Sequence, residues 1–309
     1  MASVDVIIPV YRPDEKLNRL LIALKTQTVL PKKIILVHTG EVLPGEPDYP
    51  AYDNVLLHII EPKKFDHGGT RNLGASISEA EIMVFMTQDA VPADNHLLER
   101  LTEALSGEAA GQRTEIAAAY ARQLPYDDCR AVERYIREFN YPDRSELRTK
   151  ENLDVRGIKT FCNSNVCSAY KREIFDRLGG FEPRTIFNED LLYGAKAVLN
   201  GYGIRYEARA RVYHSHNLGL SDQFHRNFDN AVSQAEHPEI FKAVSSEKEG
   251  MKLVKYCISR MKEDKRLYLV PYFVLNCACR YIGFFLGKRV STLPGWLVKA
   301  CSLNKRYWK

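Results

Sequence analysis

Four short apolar runs in the first ninety residues leave this chain few ways to fold. They are Val4–Val10, 33–37, Val55–Ile60 and Ile82–Met86, bounded by turn residues or by helix-periodic segments. Residues 14–28 place Leu17, Leu20, Leu21 and Leu24 on one helical face, and a second helix begins at Gly69. Buried strands alternating with helices predict an α/β fold, a mostly parallel sheet flanked by helices on both faces. Open sheets of this kind bind ligands at the carboxyl edges of their strands.

At that edge of the fourth run stands Thr87-Gln88-Asp89, followed by Asp94 capping a helix with Leu97, Leu98, Leu101 and Leu105 on one face. About a hundred residues later Asn188-Glu189-Asp190 opens another helix. A carboxylate on a rigid strand-to-helix turn can hold a cation, and a second can accept a proton. Taken singly, each acid also fits an ordinary cap of a turn or a helix.

The later chain is less regular. Residues 115–121 read as a strand, and 126–157 as an inserted lid or acceptor region with helical character over 130–139. Order resumes at Phe161-Cys162-Asn163-Ser164-Asn165, with a helix over 171–178, a turn at Gly179-Gly180-Phe181, and a last strand over 210–214 that delivers His214-Ser215-His216. Alternation along a strand lets at most one of these histidines face a given ligand, and His214 is favoured. Gly68-Gly69 precede Arg71 and Asn72 at a helix start, where backbone N–H groups and a guanidinium suit a phosphate; a plain glycine turn with a solvated arginine fits as well.

In this order and spacing, Val6-Ile7-Ile8-Pro9-Val10-Tyr11, Arg71-Asn72-x-Gly74, Asp89, Gly179-Gly180-Phe181 and Glu189-Asp190 resemble the inverting family 2 glycosyltransferases of GT-A fold, over about residues 4–235. Phe65-x-His67-Gly68-Gly69-Thr70-Arg71-Asn72, Thr87-Gln88-Asp89-Ala90 and His214-Ser215-His216 are most similar to bacterial rhamnosyltransferases of polysaccharide assembly. The resemblance implies a nucleotide-sugar donor, dTDP-rhamnose first, and a saccharide acceptor linked to a polyprenyl diphosphate. It makes Asp89, with His214, a ligand of Mg²⁺ or Mn²⁺, Asp190 the general base and Glu189 its orienting neighbour. Pro9, Val10 and Tyr11 would hold the base and ribose, and Arg71 the nucleotide. Two departures from the family pattern bear on the donor. The first acid of the usual D-x-D is Thr87 here, leaving Thr87 and Gln88 as donor contacts. The acid after the second strand is replaced by His38-Thr39-Gly40, with Glu41 as substitute. A UDP-sugar donor, or a non-catalytic membrane-associated partner of a glycan assembly complex, stands as the alternative. A nucleotidyltransferase is disfavoured because Tyr11-Arg12-Pro13 stands where a glycine-rich phosphate loop would follow the first strand.

The tail has a different character. Residues 251–309 hold thirteen Lys or Arg against Glu263 and Asp264, so an excess of +11 in the tail leaves −6 on the rest of a chain of net charge +5. Its aromatic runs, 267–275 and 281–286, are interrupted by Pro271, Asn276 and Arg280, which argues for amphipathic helices on an anionic leaflet rather than a uniform span. Packing on the core or on a second subunit, giving a homo-oligomer, is the other fate of such helices. Nucleic acid is a poor partner, as no binding module accompanies the charge. The expected division is a catalytic domain over 1–240 and a membrane-associating extension over 241–309. Seven cysteines without C-x-x-C spacing read as reduced thiols, and the amino terminus lacks the pattern of a signal peptide. The expected location is cytoplasmic, on the inner face of the cell membrane.

Overall fold

Every residue of Ile82–Met86 is buried, as a strand covered by helices on both faces must be. The computed structural model describes residues 2–46, 49, 53–106, 114–241 and 247–308. In chain order the elements begin β1 (Val4–Val10), α1 (Glu15–Lys25), β2 (Lys33–Thr39), β3 (Val55–Ile60), α2 (His67–Ile77), β4 (Ile82–Met86), β5 (Val91–Pro92), α3 (Leu97–Ser106) and β6 (Ile116–Leu124). There follow α4 (Ala131–Asn140), β7 (Glu146–Arg148), α5 (Leu153–Arg156), β8 (Cys167–Lys171), α6 (Arg172–Arg177), α7 (Glu189–Leu199) and β9 (Gly203–Tyr213). The last helices are α8 (Leu220–Glu236), α9 (Pro238–Phe241), α10 (Glu247–Glu263), α11 (Val270–Gly287) and α12 (Gly295–Cys301). Two compact units result, one of Met1–Tyr126, Tyr141–Arg184 and Glu189–His214, the other of Asp127–Asn140, Thr185–Asn188 and Ser215–Lys309.

The first unit is built on a nine-stranded sheet of order β3-β2-β1-β4-β8-β6-β9-β5, with β7 also pairing β9. The run from β3 to β4 is parallel throughout, and β6 pairs β9 in parallel. Elsewhere the sheet is mixed, because β8 runs antiparallel to both β4 and β6, and β5 and β7 run antiparallel to β9. Antiparallel neighbours need no crossover helix, and the irregular residues 141–166 provide none of any length. Leu17, Leu20, Leu21 and Leu24 of α1 are fully buried, and Asp14 caps that helix by accepting from Lys16 N. The strand expected at 210–214 starts seven residues earlier, at Gly203. Arg205, Glu207, Arg209 and Arg211 conceal it from a search for apolar runs.

In the second unit, α4, α10 and α11 share one apolar cluster, and α8, α11 and α12 another. Pro271, Asn276 and Arg280 do not interrupt the tail as expected. Pro271 lies in the first turn of α11, where its missing N–H costs nothing; Asn276 is buried, and Arg280 lies 3.8 Å from Glu133. The stretch Leu267–Gly287 is therefore one helix long and apolar enough to cross a membrane, with mean hydropathy 1.5. All seven cysteines are free thiols.

α8 and α11 approach closely because Gly283 and Gly287 carry no side chain. A Cβ at Gly283 would collide with the carbonyl oxygen of Phe224, and one at Gly287 with that of Phe228. Gly283→Val is expected to lower the unfolding free energy, measured by urea denaturation, by about 1–3 kcal/mol of overpacking or more. Gly250→Ala, where nothing lies within 4 Å of the added Cβ, is expected to be neutral or stabilising by up to about 1 kcal/mol. Equal losses in the two variants would show that the glycine contact does not hold the helices together.

Candidate active site

Two acidic centres form at the carboxyl ends of the central strands, both within the first unit. Asp89 leaves β4 by a turn in which Ala90 N donates to Thr87 O, and Tyr126 Oη donates to the Asp89 carbonyl at 3.0 Å. His214 follows β9 directly, and its Nε2 lies 3.5 Å from Asp89 Oδ2. The tautomer of His214 follows from its other neighbour. Gln123 donates through Nε2 to Tyr141 Oη at 2.6 Å and Ser164 Oγ at 3.0 Å, which leaves Gln123 Oε1 to face His214 Nδ1 at 3.0 Å. An amide oxygen can only accept, so Nδ1 carries the proton and Nε2 turns a lone pair toward the Asp89 carboxylate. Two acceptors held this close repel unless a cation or a proton lies between them. An oriented imidazole beside a carboxylate, its far nitrogen fixed by a hydrogen bond, is the arrangement that metal sites use.

β9 ends at Tyr213, so strand alternation stops before the histidines and does not exclude the second of them. His216 is only two residues on, at the start of the second unit. One carboxylate oxygen and one imidazole nitrogen fit a divalent cation of borderline hardness.

The second centre is buried. Glu189 and Asp190 open α7, and neither behaves as a solvated cap. Arg71 Nη1 sits 3.2 Å from Glu189 Oε1 and also donates to His67 O at 3.0 Å; both side chains of the pair are more than 90% buried. Asn165 donates through Nδ2 to Glu189 Oε1 at 3.1 Å and through its backbone N to Asp190 Oδ2 at 3.0 Å, while Leu191 N donates to Asp190 Oδ1 at 2.8 Å. Tyr170 Oη fixes Asn165 by donating to Oδ1 at 2.6 Å, and Asn163 Nδ2 donates to Tyr170 Oη at 2.8 Å. Burial alone would raise the Glu189 pKa, but the charges of Arg71 and His67 and the bond from Asn165 outweigh it and hold Glu189 ionised. Asp190 goes the other way. Burial and then the Glu189 charge push its pKa up to about 7, which suits a group that must take and release a proton near neutrality.

Residues 163–165 join the two centres. Ser164 accepts from Gln123, the partner of His214, while Asn165 holds both acids of α7. Thr87 N donates to Val166 O at 3.1 Å, which sets the ends of β4 and β8 side by side. Gln123, Asn165 and Tyr170 were not among the expected site residues. The Asn-Ser-Asn string before a strand was their one visible signal.

The remaining candidates lie along the same edge. Gln88 clamps the end of β1, accepting from Tyr11 N at 2.8 Å and donating to Tyr11 O at 3.1 Å. Tyr11 keeps an exposed ring, with Arg12 at positive φ laying its guanidinium 5.3 Å from the ring centre. Val10 turns into the core, so its side chain cannot meet a ligand, and Pro9 beside it is partly buried. Thr87 Oγ1, at the position of the missing acid, is buried without a hydrogen-bond partner among the described residues. Arg71 is engaged by Glu189 rather than by open solvent. Glu41 is exposed after β2 and is not brought to either acidic centre. The buried acid near it is Glu46, whose Oε2 lies 2.8 Å from His38 Nε2 and accepts from Tyr49 Oη at 2.8 Å.

Residues 5–179, more than half of the chain, match the family model Glycosyl transferase family 2. The chain belongs to that family. It is a glycosyltransferase, and the GT-A architecture expected from its motifs is the one the sheet displays. This family 2 enzyme is 34% identical over 308 residues to the O-antigen chain rhamnosyltransferase RfbN of Salmonella typhimurium, covering 99% of this chain and 96% of that one. It is 32% identical over 311 residues to the O-antigen chain rhamnosyltransferase WbaN of Salmonella anatum, covering all of this chain and 96% of that one. Among solved structures, the mannosyltransferase PcManGT of Pyrobaculum calidifontis, in complex with GDP-Man and Mn²⁺, superposes with TM-score 0.59 at 14% identity, covering 94% of this chain and 86% of that one. Residues 1–349 of S. aureus TarS, in complex with UDP-GlcNAc, superpose with TM-score 0.52 at 14% identity over 94% and 91% of the two chains. Identities this low speak to the fold alone.

Proposed function

We propose that this glycosyltransferase moves L-rhamnose from dTDP-rhamnose, with inversion, to a hydroxyl of a saccharide carried on a polyprenyl diphosphate, in O-antigen-type polysaccharide synthesis. The observation that carries the reading is the end-to-end similarity to two O-antigen chain rhamnosyltransferases, and the half-buried Asp190, its pKa raised beside Glu189, agrees with it. In the reaction the acceptor O–H gives its proton to Asp190 as its oxygen bonds to the anomeric carbon, and the bond from that carbon to the diphosphate oxygen breaks. Glu189, ionised by Arg71, keeps Asp190 basic and fixes its place through Asn165. Asp89 and His214 would hold Mg²⁺ or Mn²⁺, which when bound supplies positive charge to the departing diphosphate. Pro9, Tyr11 and Thr87 would face the nucleotide, Val10 and Gln88 shape that edge, and Glu41 would reach the base. Catalysis is assigned to residues 1–240 and attachment to 241–309.

Thermal stabilisation by a panel of nucleotide sugars tests the donor without a choice of acceptor. A donor at a hundred times its Kd adds about 2.7 kcal/mol. The shift is expected with dTDP-rhamnose, to require Mn²⁺ or Mg²⁺, and to vanish in Asp89→Ala. A shift with UDP-sugars alone would keep the class and discard rhamnose; a metal-independent shift would remove Asp89 from the role given to it.

We place the enzyme on the inner face of the cell membrane. Val274, Leu275, Tyr281, Ile282 and Phe285 lie exposed along one side of α11, spaced as an apolar helical stripe, within a tail of net charge +11. The full-length protein is expected to pellet with anionic vesicles at low salt and far less with neutral ones. Failure to pellet with either would leave packing on a partner as the use of that face.

A further inference from the structure

Four arginines line one cavity of the first unit, away from both acidic centres. Arg100, Arg122, Arg209 and Arg211, with Ala208, line an open cavity of about 450 Å³. Arg122 and Arg211 are register partners on adjacent strands, an arrangement of like charges that destabilises a sheet unless something neutralises it. Asp94 cannot serve all four. It accepts from Arg100 Nη1 at 3.0 and 2.8 Å and from Arg211 Nη2 at 2.8 Å; burial would raise its pKa, but the two guanidinium groups hold it at about 2. Glu207 takes Arg209 at 2.8 Å. Arg122 has no carboxylate partner among the described residues, its Nε donating to Tyr141 O at 3.2 Å. Arg211 Nε is buried with no hydrogen-bond partner among the described residues.

The backbone builds this cluster deliberately. The β6–β9 register jumps from Ala121 opposite Glu207 to Arg122 opposite Arg211, so residues 208–210 leave the ladder as a bulge. Bulges re-aim side chains. This one brings Arg209 and Arg211 to the same opening as Arg122, while Ala208 leaves room between them. Several guanidinium forks around a space of this size match the oxygens of a phosphate or diphosphate.

We propose that this cavity binds a phosphate or diphosphate group other than the donor's. Two sources share that chemistry, a diphosphate borne on a lipid and a soluble diphosphate; the lipid-borne source rests on the acceptor class proposed above. The strand leading from the cavity ends at Tyr213, and His214 follows it directly, three residues past Arg211, about 10 Å along an extended chain. An anion seated there lies within the span of a saccharide acceptor whose reacting hydroxyl meets a donor held at the metal-ligand cluster.

Calorimetric titration with inorganic pyrophosphate in EDTA tests the site on the full chain. Wild type and Asp89→Ala are expected to bind alike, and Arg122→Gln/Arg209→Gln to bind at least about tenfold more weakly, the loss of one charge-assisted contact. Unchanged affinity in the double variant, or binding lost in Asp89→Ala, overturns the proposal. Vesicles holding a polyprenyl diphosphate, compared with phosphatidylglycerol vesicles of equal charge, separate the sources. Selective loss of the former in the double variant assigns the lipid-borne diphosphate, whereas equal retention of both, with pyrophosphate binding still arginine-dependent, assigns a soluble one. The metal-dependent shift with dTDP-rhamnose is expected to persist in the double variant, which shows the fold intact. Were wild type to show no such shift, the donor reading would fail while the pyrophosphate result still judged the cavity.

Discussion

Asp190→Asn is expected to cut sugar transfer by about 10²–10⁴-fold, the usual contribution of a positioned general base, while making the protein more stable at alkaline pH. The two effects have one cause. In wild type, burial and Glu189 lift the Asp190 pKa from 3.8 to about 7, so between those values the folded chain keeps a proton that the unfolded chain has lost. A raised folded pKa means stability that is full below about pH 4 and declines as pH climbs toward 7. Three units correspond to about 4 kcal/mol at most. Asparagine removes that loss, less the cost of one acceptor, because only one of the contacts from Asn165 N and Leu191 N still finds an oxygen. Unfolding at pH 5 and pH 8 is therefore expected to converge for the variant and diverge for wild type. In wild type the activity should rise with pH through about 7 as Asp190 ionises, and the variant's residual activity should lack that limb. A variant with unchanged turnover would remove Asp190 as the base, and one with wild-type pH dependence of stability would show that another group titrates.

The parts of this molecule that were legible in its sequence are those whose meaning is local. The four apolar runs gave β1 to β4, of which β1, β2 and β4 are buried and the edge strand β3 is partly exposed, and Asp89 and Asp190 could be placed because one follows an apolar strand and the other opens a helix. What was not legible depends on partners far along the chain. Gln123 fixes the His214 tautomer from 91 residues away, and no spacing rule joins them. Asn165 reads as a loop residue until Glu189 and Asp190 are folded over it. The first half of β9 was hidden because Arg205, Glu207 and Arg209 break its apolar run, and Arg209 goes on to line the arginine cavity. Pro271 misled through a sound rule applied at the wrong place, since a proline that breaks a helix interior begins a helix equally well. At Arg71 the sequence hid a partner: a guanidinium after paired glycines suits a phosphate, and the fold also pairs it with Glu189.

Replacing Arg71 by alanine is expected to cost about 3–5 kcal/mol, because it strands a buried carboxylate rather than deleting a surface contact. The pair with Glu189 does not by itself imply large net stability, since both charges were taken out of water to make it. The loss comes from asymmetry. With Arg71 gone, burial is no longer outweighed at Glu189, and its pKa moves from below the ordinary carboxylate range to above it. The sign of the pH dependence then reverses. In wild type, Glu189 contributes stability above its unfolded pKa and loses it as the pH falls; in Arg71→Ala it is neutral when folded, and stability instead declines as the pH rises through the new value. A neutral Glu189 also ceases to repel the charge on Asp190, so the activity limb of the variant should shift to lower pH. Adding Glu189→Gln to Arg71→Ala should recover much of the stability, and the double-mutant cycle should give a coupling of about 1–3 kcal/mol. A cycle that closes without coupling, measured by urea unfolding at pH 8, would mean that Arg71 faces something other than Glu189 in solution, and the nucleotide contact first expected for it would return as the better assignment.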